Sequence, residues 1–183
     1  HSVVFSGFSA DALKDRILDS DAEYLITADG SYRNGKVVPI KDNADAALKA
    51  CPSVKNVIVV KRTNNKIVMK KNRDFWWHEL IKQEKEDYCP PEHLDSEDPL
   101  FILYTSGSTG KPKGAVHAYK NLLVNKFPST ILKISRKDIV FSFSRLHTSF
   151  GLGNSILFPF QAGASSILCR DVPNSLLLRR ILR

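Results

Sequence analysis

Short apolar runs recur along this chain, and helix-patterned stretches or turn residues separate them. They are "SVVF" (2–5), "EYLITAD" (23–29), "NVIVV" (56–60), "LFILYT" (100–105), "DIVFSFS" (138–144) and "ASSILC" (164–169). Several show no polar alternation, which is the pattern of strands covered on both faces rather than one. Strands of that kind, alternating with helices, predict an α/β fold with a mostly parallel sheet flanked by helices. No internal repeat or low-complexity tract competes with this reading.

The stretches between the runs fill in the helices. "SGFSADALKDRILDSD" has Ser9 as a helix N-cap, Asp11 at the positive end, and Leu13 with Ile17 on one face. The "GFSA" turn before it (7–10) shapes a strand-to-helix junction. "ADAALKAC" (44–51) predicts a second helix closed by Pro52. "DFWWHELIKQEKED" (74–87) predicts a third, with Trp76 and Trp77 packing and His78 at the surface. "KRTNNKIVMKKNRD" (61–74) suits a small hairpin turning at Asn64 and Asn65. "CPPEHLDSEDP" (89–99) is a proline-broken loop. "AVHAYKNLLVNKF" (115–127) and "SFGLGNSILFPFQAG" (149–163) carry helical patterning, and the closing "LLLRRILR" reads as helix.

The 183 residues are long enough for one domain with a real core. Hydrophobic residues make up 43% and charged residues 25%, ordinary for a soluble globular chain. No apolar stretch approaches the roughly 20 residues that span a bilayer. The start lacks the charged n-region and apolar core of a signal peptide. Beginning on His1 and closing inside a helical pattern, the chain reads as an internal fragment of a longer protein.

Net charge is +8, but the basic residues are spread out, and no aromatic platform accompanies the densest group at 70–74. The charge is therefore read as a solvated surface with a bias toward anionic small substrates, and no nucleic-acid or membrane partner is expected. Cys51, Cys89 and Cys169 form no CxxC and no even framework, so they read as reduced core thiols of a cytoplasmic protein. His1, His78, His93, His117 and His147 show no metal-ligand spacing, and no metal site is expected.

Behind "LFILY" comes the densest chemistry in the chain, "TSGSTGKPKG" (105–114). Gly107, Gly110 and Gly114 allow backbone N–H groups close to an anion. Thr105, Ser106, Ser108 and Thr109 add hydroxyl donors, and Lys111 and Lys113 add charge. These are the properties of a phosphate cradle. It is not a Walker A loop, because Pro112 stands where Gly-Lys would need Ser or Thr.

The stretch "ILYTSGSTGKPKG" closely resembles the phosphate-binding signature of the adenylate-forming superfamily, and every position from Ile102 to Lys113 fits it. Upstream, "HSVVFSGFSADALKDRI", "ITADGSYRNGKVVPIK", "CPSVKNVIVVKRT" and "RDFWWHEL" resemble successive blocks of AMP-forming acetyl-CoA synthetases. From about Tyr119 the likeness shifts toward benzoate-type and other acyl-CoA ligases, which implies a different wall for the acyl pocket.

The resemblance implies a reaction in two steps. ATP and a small carboxylic acid form an acyl-adenylate and pyrophosphate, and coenzyme A then displaces AMP. ATP with Mg2+ and coenzyme A enter as substrates, with no tightly bound cofactor. Thr105 to Gly110, with Lys111 and Lys113, would hold the β- and γ-phosphates. Arg33, Asn34, Gly35 and Lys36 would contact the phosphates of coenzyme A. His147 or Phe150 would line the acyl pocket. Residues 1–183 would form part of the large N-terminal domain of such an enzyme. The adenine-binding motif, the ribose-binding aspartate and the lysine-bearing C-terminal lid domain would lie outside them, leaving the active site incomplete. Oligomeric state is not legible.

Overall fold

A computed structural model describes residues 1–183 except 34–35, 86–87, 107–111, 125–129, 145, 147, 170–173 and 182–183. The chain divides into two compact units, Val4–Pro91 and His1–Val3 with Glu92–Arg183.

In Val4–Pro91, helix α1 (Ala10–Ser20) begins where the sequence places it. Ser9 is extended, and its hydroxyl accepts the Ala12 N–H at 3.2 Å. Asp21 closes the helix in the left-handed region, with φ 46°. Strand β1 (Tyr24–Ala28) leads into a small hairpin, β2 (Ser31–Arg33) and β3 (Lys36–Val38). Helix α2 (Ile40–Leu48) and strand β4 (Asn56–Val60) follow, then β5 (Asp74–Trp76) and α3 (Trp77–Gln83). The sheet order is β1-β4-β5, all parallel. Val57 and Val59 are fully buried on one face; Ile17, Ala44, Ala47 and Cys51 are the other buried hydrophobic residues among those described in this unit. On the same side of the sheet as Ile58, Ile26 and Phe75 stand in register and remain exposed.

The fold corrects the reading of residues 61–74. Because β4 and β5 are parallel, the chain between them must cross from one end of the sheet to the other, which a hairpin cannot do. Residues 61–73 form that crossover as a strap with no helix or strand of its own. Asn64 and Asn72 take left-handed φ values of 59° and 63°, where asparagine is tolerated best among residues with a Cβ. The third helix is also shorter than expected, because Asp74–Trp76 pairs with β4 instead. Trp77 is 45% exposed, so it does not pack as expected.

Buried charge holds the strap and α2 together. Lys41 has no exposed side-chain surface, and its Nζ donates to Asp45 at 2.7 Å and to the Val68 carbonyl at 3.0 Å. The same ammonium lies 2.8 Å from the buried Asp74, whose other partners are the Arg73 guanidinium and the Lys70 N–H. Burial opposes ionisation of Asp74, but these donors outweigh it and bring its pKa from 3.8 to about 2. A carboxylate depressed in the folded state stabilises fully above its unfolded pKa, and that stability is lost as pH falls through the folded value. Acidification from pH 5 to pH 2 should therefore cost about 2 kcal/mol from this group alone. Urea midpoints across that range test it, and a flat profile below pH 4 would contradict it.

In the second unit, β6 (Pro99–Ser106) and β7 (Pro112–Ala118) pair antiparallel from Ser106↔Pro112 back to Pro99↔Ala118. The N-terminal "SVVF" contributes one parallel bridge, Ser2 to Ile102, instead of the expected strand; Val3 is 46% exposed. The helix expected over 115–127 is corrected too. Residues through Ala118 are strand, and α4 (Asn121–Val124) starts only after the Ala118 N–H meets the Asn121 side-chain oxygen at 2.7 Å. Pairing with β6 overrides the helical tendency of the alanines here.

Strands β8 (Ile139–Phe141) and β9 (Ser165–Ile167) are parallel. A helical crossover links them: α5 (Ser149–Leu152), a π-helical turn (Gly153–Leu157) and α6 (Phe158–Gln161). Gly153 is needed there, because a Cβ would lie 2.8 Å from the Phe158 ring. Helix α7 (Ser175–Ile181) closes the described chain. The α/β class with parallel pairing and flanking helices agrees with the sequence expectation.

Candidate functional site

The glycine-rich stretch is the connection of the β6–β7 hairpin, not a strand-to-helix loop. Thr105 and Lys113 stand directly across from each other in the register, both exposed. Cross-strand neighbours have Cβ atoms about 5 Å apart, so a hydroxyl donor and an ammonium flank the mouth of the loop. Ser106 is the last residue of β6, opposite Pro112. Gly107, Ser108, Thr109, Gly110 and Lys111 lie outside the described residues. Gly114 faces Tyr104, and a Cβ on it would come within 3.2 Å of that ring and 3.0 Å of Ile102.

Arg33 and Lys36 form the closing pair of the β2–β3 hairpin, and both are exposed. Asn34 and Gly35, between them, lie outside the described residues. An Asn-Gly pair between two short strands is the turn chemistry that lets a hairpin close tightly. The guanidinium of Arg33 lies 6.0 Å from the centre of the Phe5 ring, at the outer reach of a cation–π contact. Phe5 meets Phe8 edge-on at 5.7 Å, and Arg16 lies 4.7 Å over Phe8. Gly7 completes the cluster: a Cβ there would be 2.4 Å from the Phe5 ring and 3.1 Å from the Arg33 guanidinium. The sequence treats this turn only as a junction. The aromatic–glycine–aromatic order of "FSGF" is the signal that a cation could be held beside it.

Phe150 is 68% exposed near the start of α5, whose first turn is capped by Thr148 accepting the Gly151 N–H at 3.0 Å. His147 lies outside the described residues. The cysteines divide differently from the expectation of three core thiols. Cys51 is buried, its thiol pushed up by burial, whereas Cys89 and Cys169 are exposed. Among the described residues no group of three or more His, Cys, Asp or Glu is placed to hold a metal ion. No helix among them is long and apolar enough to cross a membrane.

A second buried carboxylate sits at the base of the Arg33–Lys36 hairpin. Asp29 has no exposed surface. Its Oδ1 accepts the N–H groups of Gly30 at 2.8 Å, Arg62 at 2.8 Å and Thr63 at 3.0 Å. Its Oδ2 accepts those of Thr63 and Asn65, each at 3.2 Å. Burial opposes its ionisation, and the backbone donors from Thr63, Arg62 and Gly30 outweigh that, holding the carboxyl below the usual aspartate value. Nothing in the sequence marks this aspartate, because apart from the adjacent Gly30 its donors, Arg62, Thr63 and Asn65, lie more than thirty positions away.

Both hairpins present exposed cations: Lys113 opposite Thr105 beside the glycine-rich connection, and Arg33 with Lys36. Residues 1–182 match the model of the AMP-binding enzyme family, and the chain belongs to that family. It is 59% identical over 175 residues to the acetyl-coenzyme A synthetase of Alkalilimnicola ehrlichii, covering 94% of this chain. It is 45% identical over 176 residues to acetyl-coenzyme A synthetase 2 of Pseudomonas putida, and 44% over 175 residues to the acetyl-coenzyme A synthetase of Halorhodospira halophila. The chain spans 27% of the length of each of these relatives. The likeness to acetyl-coenzyme A synthetases thus runs well past Tyr119.

Proposed function

We propose that this chain is part of an AMP-forming acid–CoA ligase that activates acetate. The observation that carries the reading is 59% identity to a named acetyl-coenzyme A synthetase across 94% of the chain. In the first step a carboxylate oxygen attacks the α-phosphorus of ATP, and the bond to pyrophosphate breaks. In the second, the thiol of coenzyme A attacks the acyl carbon, and AMP leaves. Thr105, Ser106, Gly107, Ser108, Thr109, Gly110, Lys111 and Lys113 hold the β- and γ-phosphates of ATP, which arrives with Mg2+. Fixed donors and cations there stabilise charge that grows on the departing pyrophosphate.

Arg33, Asn34, Gly35 and Lys36 bind the phosphates of coenzyme A. Support comes from the placement of two exposed cations at one hairpin tip, with Arg33 beside Phe5. Phe150 and His147 border the acyl site. The chain contributes part of a large N-terminal domain, and the lid domain is supplied from outside residues 1–183. The enzyme works in the cytoplasm.

Benzoate is the competing acid from the sequence reading of the segment after Tyr119, a segment the acetyl-coenzyme A synthetase likeness also covers. ATP–pyrophosphate exchange separates the two, using a polypeptide of the relatives' length that contains residues 1–183. Exchange that depends on acetate is expected, with propionate weaker and benzoate inert. Exchange driven by benzoate alone would replace acetate with an aryl acid, and no exchange with any acid would overturn the ligase reading. Residues 1–183 alone are expected to show none.

A further inference from the structure

We propose that Asp29 is a positioning residue for coenzyme A, acting through the hairpin that carries Arg33 and Lys36; this rests on the coenzyme A reading of that hairpin. A two-stranded hairpin is marginal by itself, so its tip goes where its base is held. Here the base is Gly30, which directly precedes β2. Asp29 ties that base to the strap by gathering the Gly30, Arg62, Thr63 and Asn65 N–H groups onto one carboxylate. The Asp29 N–H also bonds to the Val60 carbonyl at 3.1 Å, so the junction is fixed to the end of β4 as well.

Gly30 allows the approach. A Cβ on it would lie 2.5 Å from the Thr63 hydroxyl, 2.9 Å from the Asn65 side-chain nitrogen and 3.1 Å from Val37 of β3. Strap, hairpin and sheet end therefore meet around two residues. Arg33 is three residues beyond Gly30, a lever of about 10 Å in extended chain. A tilt of roughly 6° at the base moves the tip by about 1 Å, enough to spoil a charged hydrogen bond to a phosphate. Asp29 touches no substrate; it sets where the cations stand.

The test is the dissociation constant for coenzyme A, measured by titration calorimetry on a polypeptide of the relatives' length that contains residues 1–183, below its unfolding temperature. Asp29→Asn keeps the size of the side chain and removes its charge, and is expected to weaken binding roughly tenfold. Gly30→Ala keeps every charge and should weaken it similarly, with Thr63→Ala in the same chain recovering much of the loss. In a background of Arg33→Ala with Lys36→Ala, Asp29→Asn should add nothing. A loss of fold stability without that coupling, or unchanged affinity in both Asp29→Asn and Gly30→Ala, would overturn the positioning role while leaving the hairpin assignment intact. No uptake by the unaltered chain, or no effect of removing Arg33 and Lys36, would overturn the hairpin assignment and this role with it.

Discussion

Lys41→Met is expected to destabilise the unit Val4–Pro91 by about 3–5 kcal/mol, the usual cost of removing one partner from a buried ion pair. The methionine can fill most of the space of the lysine stem, so cavity formation adds little. The loss comes from what remains. Asp74 stays buried, with Arg73 and the Lys70 N–H as partners but no ammonium beneath it. Asp45 keeps Arg73 alone among its cations, and the Val68 carbonyl loses its donor. The strap then loses its attachment to α2 at its centre. Urea unfolding should show the loss, and Lys41→Met combined with Asp74→Asn should recover part of it by removing the stranded charge. A cost below about 1 kcal/mol would mean that water reaches the cluster and screens it.

Lys111→Ala is expected to lower ATP–pyrophosphate exchange roughly a hundredfold in a polypeptide of the relatives' length, the scale of removing one preorganised donor from a developing charge. The glycine loop concentrates hydroxyls and two lysines within nine residues, Thr105 to Lys113. Lys113 stays opposite Thr105 in the substituted protein, so part of the phosphate field survives and the loss is not total. If Lys111 contacts ATP equally before and during transfer, the affinity for ATP falls and the maximal rate holds. If it meets charge that grows only on the leaving pyrophosphate, the maximal rate falls instead. The electrostatic account expects the second pattern. An unchanged exchange rate would remove Lys111 from the phosphate cradle.

Local features of this fold were legible in the sequence, and non-local ones were not. Ser9 announces α1 because capping involves only residues three apart. "NVIVV" announces β4 because a buried strand needs little but apolar, β-branched residues. The segment 115–118 reads as the start of a helix, since its alanines and the following "KNLLVNK" favour one, yet pairing with β6 makes it a strand. "KRTNNKIVMKKNRD" suggests a hairpin because Asn-Asn suits a turn. What decides its path is the parallel register of β5 on β4, together with two carboxylates, Asp29 and Asp74, that take its N–H groups.

The candidate site shows the same division. The order of residues in "TSGSTGKPKG" suggests a phosphate cradle by itself, whereas "RNGK" suggests coenzyme A only through the family resemblance. The aromatic ring beside Arg33 and the carboxylate beneath its hairpin depend on chain contacts no local window contains. Phe5 is twenty-eight residues from Arg33, and Arg62 is thirty-three from Asp29.

The central claim is that Thr105 to Lys113 cradle the phosphate tail of ATP. A crystal structure of the relatives'-length polypeptide with a non-hydrolysable ATP analogue tests it directly. The account predicts β- and γ-phosphate oxygens within about 3 Å of donors in that hairpin connection, the ordinary hydrogen-bond distance. A bound analogue whose phosphates rest on other residues, with this connection facing solvent, would contradict it.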